Sequence, residues 1–258
     1  MIPKKIHYFW MGSSEMPEKL QKCVDSWRTL MPDYEIIRWD DERVAPIDSL
    51  FLRQAIEEKK WAFASDYVRL YALYHEGGIY LDTDVMAFRR FDDLLHLKAF
   101  TGAESTCHVS RFFTPRCITS FCMGSEPGHQ FFKEALAYYD GRPFVRSRQE
   151  WLPEELRYET TVNTYILMQL ARMHGYNPGK GAKFPQQLDC ELTIFDPETF
   201  NPQTPGKRSY IEHRAEGSWR EDKLGSDVAE GRRGLKRRLR NGVMNLIDKA
   251  GWVLIKKK

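Results

Sequence analysis

The chain has 258 residues, 42% of them hydrophobic and 13% aromatic, with a formal net charge of +3. That size allows one large domain or two small ones around a real core, and the composition excludes a largely disordered chain. No apolar run approaches the roughly 20 residues that a membrane-spanning helix needs, and the opening MIPKKIHYFWMG has neither the apolar segment nor the small-residue cleavage site of a secretory signal.

A cytoplasmic protein is therefore expected. The five cysteines (Cys23, Cys107, Cys117, Cys122, Cys190) are scattered and form no CxxC pair, which argues against zinc-ribbon and thioredoxin-like folds and for buried thiols. Charge is unevenly spread. Residues 232–258 hold ten Lys/Arg and one acid, a net of +9, so by subtraction the rest of the chain carries about −6. The expected division is a domain over 1–231 and a basic tail over 232–258.

In chain order, KKIHYFWMG alternates like a buried first strand. MPEKLQKCVDSWRTLMP repeats Leu20, Val24 and Trp27 at helical spacing and is closed by Pro32. YEIIRWDD is a second strand. The segment 49–78 is helical with a break near Lys59–Lys60, and Gly77 or Gly78 stops it. IYLDTDV is a third strand. Strand, helix, strand, helix, strand begins an α/β sheet with crossover helices.

Further on, FTGAEST and SFCMGSEP resemble strand ends, while GHQFFKEALAYYDG and TTVNTYILMQLARMHG are helices. From Asn177 to Gly217 frequent Pro and Gly suggest short strands and long loops. In the tail, Leu235, Leu239, Val243, Leu246, Ile247, Ala250 and Leu254 form one helical stripe opposite Lys and Arg. Such a helix suits an anionic membrane surface; a helix packed on its own domain is the plainer alternative. No aromatic-interleaved basic patch points to nucleic acid.

The stretch GGIYLDTDV carries the chemistry. If the strand runs through them, Asp82 and Asp84 point to one face, and two like charges so close repel. A divalent cation relieves that repulsion. Hard oxygen donors suit Mg2+ or Mn2+, which bind through carboxylates together with substrate phosphates. The carboxyl edge of an α/β sheet is where a nucleoside diphosphate would sit. A DxD alone arises by chance in a chain this long. Its context adds weight: the preceding helix is apolar almost all round, yet carries Ser65, Asp66 and Arg69 on one stripe. Buried Asp66 and Arg69 need partners. They either pair with each other or reach the pocket of the acidic pair, where Arg69 could meet phosphate or sugar oxygens.

KIHYFWMG, WAFASDYVRLYALYHEGGIYLDTDV and EHRAEGSW together resemble the DxD-containing sugar transferases related to yeast Och1 mannosyltransferase, glycosyltransferase family 32. The first two stretches are more distantly similar to the clostridial glucosylating toxins. The resemblance is strong over 1–95, thin over 96–205, and returns at 210–219. It implies a GT-A fold, a nucleotide-sugar donor, a divalent metal (usually Mn2+) and retention of anomeric configuration. It also implies roles. Trp10 is similar to the residue that stacks on the nucleotide base, and Asp66 and Arg69 to the pair that holds donor sugar and ribose. Asp82 is similar to the first acid, near ribose, sugar and metal, and Asp84 to the main metal ligand. Ser218 and Trp219 would close over the diphosphate. The family usually has a His-rich stretch before Gly-Ser-Trp; here only His213 precedes it, with Arg214 next to it. His213 is thus either a third metal ligand or an exposed loop histidine. Asn163 is a candidate polar group near the sugar, with a helix-surface amide the favoured alternative.

These readings lead to a metal-dependent retaining glycosyltransferase. It would move a sugar, with UDP-sugars favoured over GDP-mannose, to a glycan or lipid-linked acceptor in capsular-polysaccharide or lipopolysaccharide synthesis. The enzyme would be peripheral at the inner face of the membrane. Attack from the front face, assisted by the leaving phosphate, needs no carboxylate nucleophile. One rival is a haloacid-dehalogenase-like phosphatase, with Asp82 as nucleophile and Asp84 as acid/base; FDDLL at 91–95 lies too close to supply that family's last acidic pair. Another is a membrane-associated sugar-binding protein without catalysis, against which the intact Asp66, Arg69, Asp82 and Asp84 set argues.

Overall fold

A computed structural model of the chain describes residues 1–12, 15–104, 116–179, 181–200 and 209–214. The elements in order are β1 (Lys5–Phe9), α1 (Glu18–Leu30), β2 (Glu35–Trp39), α2 (Asp41–Val44), α3 (Leu50–Glu57), α4 (Trp61–His75), β3 (Gly78–Leu81), β4 (Val85–Ala87), β5 (Ala99–Ala103), β6 (Ile118–Ser125), α5 (Gln130–Ala137), α6 (Glu154–Arg157), α7 (Asn163–Met173), β7 (Gln186–Gln187), β8 (Leu192–Phe195), α8 (Pro197–Phe200) and β9 (Ile211–His213). These residues lie within one unit formed by Met1–Cys107 and Pro115–Glu216. The expected boundary at 231/232 lies outside the described residues.

Seven strands form one sheet in the order β2-β1-β3-β6-β5-β8-β7, and β4 pairs with β9 in a separate two-stranded ribbon. β1 is parallel to β2 and β3, β6 is antiparallel to β3 and β5, and β8 is parallel to β5. So β1, β3, β5 and β8 all end at one edge of the sheet, where β6 begins. This is the α/β class expected, a mixed central sheet with helices as the GT-A resemblance implies. The antiparallel β6 is what makes the sheet mixed.

Local chemistry explains the elements that matter for the site. On α1, Leu20, Val24 and Trp27 are buried, and the Trp27 indole donates to the Val85 carbonyl at 2.8 Å. The long helix expected from 49 divides where Lys59 adopts φ 54°, giving α3 and α4. α4 buries Ala64, Tyr67, Val68, Arg69, Leu70, Ala72 and Leu73, so it presents nearly its whole circumference to protein. It ends at Gly77 and Gly78, with φ +66° and +97°.

A buried histidine locks that turn. The Trp39 indole donates to His7 Nδ1 at 3.1 Å, which leaves Nε2–H to donate to the Gly77 carbonyl at 2.8 Å. Burial depresses the His7 pKa to about 4, so the ring is neutral, as this arrangement requires. β1, β2 and the α4–β3 turn are thereby tied together.

Two expectations are corrected. The strand expected over 79–85 breaks after Leu81: a turn at Thr83–Asp84 intervenes, and Val85 starts a strand of the other sheet. The cause is local, because the Val85 amide donates back to the Asp82 carbonyl at 3.0 Å. Buried thiols are found at Cys23, Cys122 and Cys190, but Cys117 is disulfide-bonded, a pairing that no CxxC spacing could announce.

A side chain at Gly78 would place Cβ 2.9 Å from the Lys5 carbonyl oxygen and 3.1 Å from His7 Nε2, at positive φ. Gly78→Ala is therefore expected to destabilise the fold by about 1–3 kcal/mol, from overpacking and backbone strain. Urea unfolding of the variant beside the wild type measures it.

Candidate functional site

The site is built on the α4–β3 hairpin. Asp82 follows β3 directly, and its amide donates to the Phe121 carbonyl on β6 at 3.0 Å. The turn after it aims Asp84 toward β9. There the ribbon pairs Val85 with His213, and the Arg214 amide donates to the Asp84 carbonyl at 3.0 Å. His213 Nε2 consequently lies 3.3 Å from Asp84 Oδ1, and its ring stacks on Phe121 at 4.2 Å. One ligand atom each from Asp82, Asp84 and His213 lie within 4.8 Å of one another. His213 is a partly buried strand residue rather than an exposed loop histidine, with 25% of its side chain accessible.

Arg69 lies behind this group with only 5% of its side chain accessible. Its Nη2 is 3.1 Å from Asp66 and 3.3 Å from Asp82, and also donates to Ser65 Oγ at 3.0 Å. Nε donates to the Ser65 carbonyl at 3.2 Å and Nη1 to the Ser120 carbonyl at 2.9 Å. The guanidinium also sits over the Tyr80 ring at 5.0 Å. Both readings of the helix stripe are therefore present: Asp66 and Arg69 pair, and Arg69 reaches the acidic pair. Nε, Nη1 and Nη2 each donate inside the protein, and Arg69 holds Asp66 and Asp82 between them.

Two further residues join the group. Asn163, at the first turn of α7, is fully buried rather than on the helix surface, and its Nδ2 lies 3.3 Å from both the carbonyl and Oδ1 of Asp66. Its Oδ1 is buried without a protein partner. Glu104 follows β5 at the same edge as Asp82, and its charge acts on His213. An acid at the end of a strand, in TGAEST, was the signal for Glu104. Trp10 follows β1 at this edge too; it is half-buried, and the Arg38 Nε donates to its carbonyl at 2.9 Å. Ser218, Trp219 and the tail 232–258 lie outside the described residues.

Burial first, and crowding second, set the electrostatics. Burial pushes the Asp66 carboxyl up to about 6, with Arg69 opposing and Asp82 adding to the rise. Burial and the charge on Asp84 also raise Asp82, against Arg69 and His213. Glu104 is raised to about 7 by burial. For His213, burial alone would lower the pKa, but Asp84, Asp82 and Glu104 together raise it. The donor set, two carboxylates and an imidazole beside further negative charge, fits a hard divalent cation such as Mn2+ or Mg2+.

The Asp66 shift predicts a pH dependence. Its folded pKa of about 6 exceeds the ordinary 3.8. Its contribution to stability is therefore full below the unfolded value and is lost as pH rises through about 6. In chelated buffer, the wild type should lose on the order of 2–3 kcal/mol relative to Asp66→Asn between pH 4 and pH 7. Urea unfolding of both proteins across that range checks it.

Residues 17–101 match the model of the family described as glycosyltransferase sugar-binding region containing DXD motif. Inositol phosphoceramide mannosyltransferase 3 of Schizosaccharomyces pombe is 36% identical over 139 residues, which are 52% of this chain and 36% of that protein. Mannosyl phosphorylinositol ceramide synthase CSH1 of Saccharomyces cerevisiae is 34% identical over 151 residues, 53% of this chain and 35% of that protein. The chain thus spans about a third of the length of the curated relatives it matches. Among solved structures, PaToxG glycosyltransferase is similar with a TM-score of 0.45 and 19% identity, over 67% of this chain and 69% of that one. The stretch that matches the family model, residues 17–101, contains Asp66, Arg69, Asp82 and Asp84.

Proposed function

We propose that the protein is a metal-dependent, retaining glycosyltransferase that moves a hexose from a nucleotide sugar to a lipid-linked or glycan acceptor. The observation that carries this reading is the meeting of Asp82, Asp84 and His213 within 4.8 Å at the carboxyl edge of the sheet. In this reading Asp84, Asp82 and His213 hold Mn2+ or Mg2+, which when bound supplies positive charge for the diphosphate leaving group. Arg69 fixes Asp82 for that task and Asp66 for the donor sugar. Asn163 orients Asp66 from the other side. Trp10 stacks on the base, and Ser218 and Trp219 close over the diphosphate. The acceptor attacks the face that the leaving group departs from, so configuration is retained without a covalent enzyme intermediate.

Similarity to an inositol phosphoceramide mannosyltransferase and a mannosyl phosphorylinositol ceramide synthase supports a lipid-linked acceptor. The mannosyl transfer in those names is a reason to test GDP-mannose beside the UDP-sugars as donor. Among the described residues no helix is long and apolar enough to cross a membrane. The basic stretch 232–258 would hold the protein to an anionic membrane surface, at the cytoplasmic face, for surface-polysaccharide synthesis.

A screen of UDP-sugars and GDP-mannose with Mn2+, scored by nucleoside diphosphate release, is expected to find a donor. Asp84→Ala should lower that turnover by about 10²-fold or more, while thermal unfolding reports that the variant is folded. Turnover unaffected by EDTA and by the substitution refutes the metal assignment, and steady phosphate release from small esters would support the phosphatase instead. Deleting 232–258 should move the protein from pelleted anionic vesicles to the supernatant; unchanged partition removes the membrane role of that stretch.

A further inference from the structure

At the opposite edge of the sheet, before β8, a second group of metal-ligating side chains converges. His174 caps the C-terminal end of α7, and its carbonyl accepts the Asp189 amide at 3.3 Å. The Leu188 amide donates to the Leu192 carbonyl at 2.9 Å, which closes a tight turn over 188–192. These bonds set Asp189 and Cys190 against the imidazole. His174, Asp189 and Cys190 each offer a ligand atom, all within 4.8 Å of one another. Cys190 is buried and Asp189 exposed, so the group has a protein side and a solvent side.

The histidine is held from both ends. Nε2 lies 2.7 Å from Glu134 on α5, and Nδ1 lies 2.6 Å from Asp189. A neutral imidazole has one N–H and can donate to only one carboxylate. With Nε2–H given to Glu134, the Nδ1 lone pair faces the Asp189 carboxylate, and either a second proton or a cation must stand between them. An imidazole that gives one ring N–H to a carboxylate and turns the other nitrogen to a metal is the usual arrangement of a zinc ligand.

We propose that His174 Nδ1, Asp189 and Cys190 form a zinc-class cation site, with Glu134 orienting the imidazole and solvent taking the fourth position. One thiolate, one imidazole and one carboxylate make a borderline-soft donor set, which suits tetrahedral Zn2+ and not the hard cation expected at Asp82 and Asp84. Binding replaces the Cys190 thiol proton and opens the 2.6 Å contact between Asp189 and His174. The site joins α5, α7 and the start of β8, and so strengthens the helical layer remote from the acidic pair.

Co2+ serves as a spectroscopic probe. The chelated full chain is titrated with Co2+, then with Zn2+. The expected result is a saturable thiolate-to-cobalt charge-transfer band that is displaced by Zn2+. It should be lost in Cys190→Ser and kept in Asp84→Ala, which separates this site from the acidic one. Glu134→Gln should weaken binding by roughly 10- to 100-fold. A wild-type chain with no such band overturns the proposal without reference to any variant. So does a band that persists unchanged in Cys190→Ser.

Discussion

The Arg69 guanidinium lies 3.1 Å from Asp66 and 3.3 Å from Asp82, and donates to the Ser120 carbonyl on β6. Helix α4, the end of β3 and the start of β6 therefore meet at one cation. Removing it would leave two crowded carboxylates without their shared counter-charge in a partly buried space, the costly way to break such a network. The apolar circumference of α4 follows from the same need. A guanidinium holds two acids more firmly where water is kept away from it, and the buried Tyr80 ring lies against it at 5.0 Å.

The charge balance around this cation remains negative. Asp66, Asp82, Asp84 and Glu104 gather around Arg69 and His213; burial above all raises the pKa values of Asp66, Asp82 and Glu104, with neighbouring acids adding to the rise at Asp66 and Asp82, so protonation is one way in which the group sheds negative charge. A divalent cation would relieve it differently, by letting the acids ionise. Proton uptake and metal binding are thus competing solutions to one electrostatic problem.

Much of this was legible in the sequence because it is local. The stripe of Ser65, Asp66 and Arg69 follows from helical spacing, and the break at Lys59 and the stop at Gly77–Gly78 from backbone preference. The break inside the acidic motif was not legible: three-residue strands such as β4 and β9 carry too little alternation to be seen, and their pairing is long-range. For the same reason Glu104 was missed, since the neighbours that give it meaning come from β9. Asn163 was misplaced on a surface because helical periodicity reports which face is apolar, and a single buried amide breaks that pattern when another helix, here α4, supplies its partner.

The β4–β9 ribbon has a consequence for how the site comes into being. Its imidazole donor comes from residue 213, 129 positions after Asp84 along the chain. During synthesis the two acids emerge early and wait, crowded and without that partner, until almost all of the described chain has left the ribosome. Contacts of such sequence separation form late, because the loop between them must first be ordered. The carboxylate half of the site is thus laid down with the first half of the sheet, and the imidazole arrives as the closing act of folding.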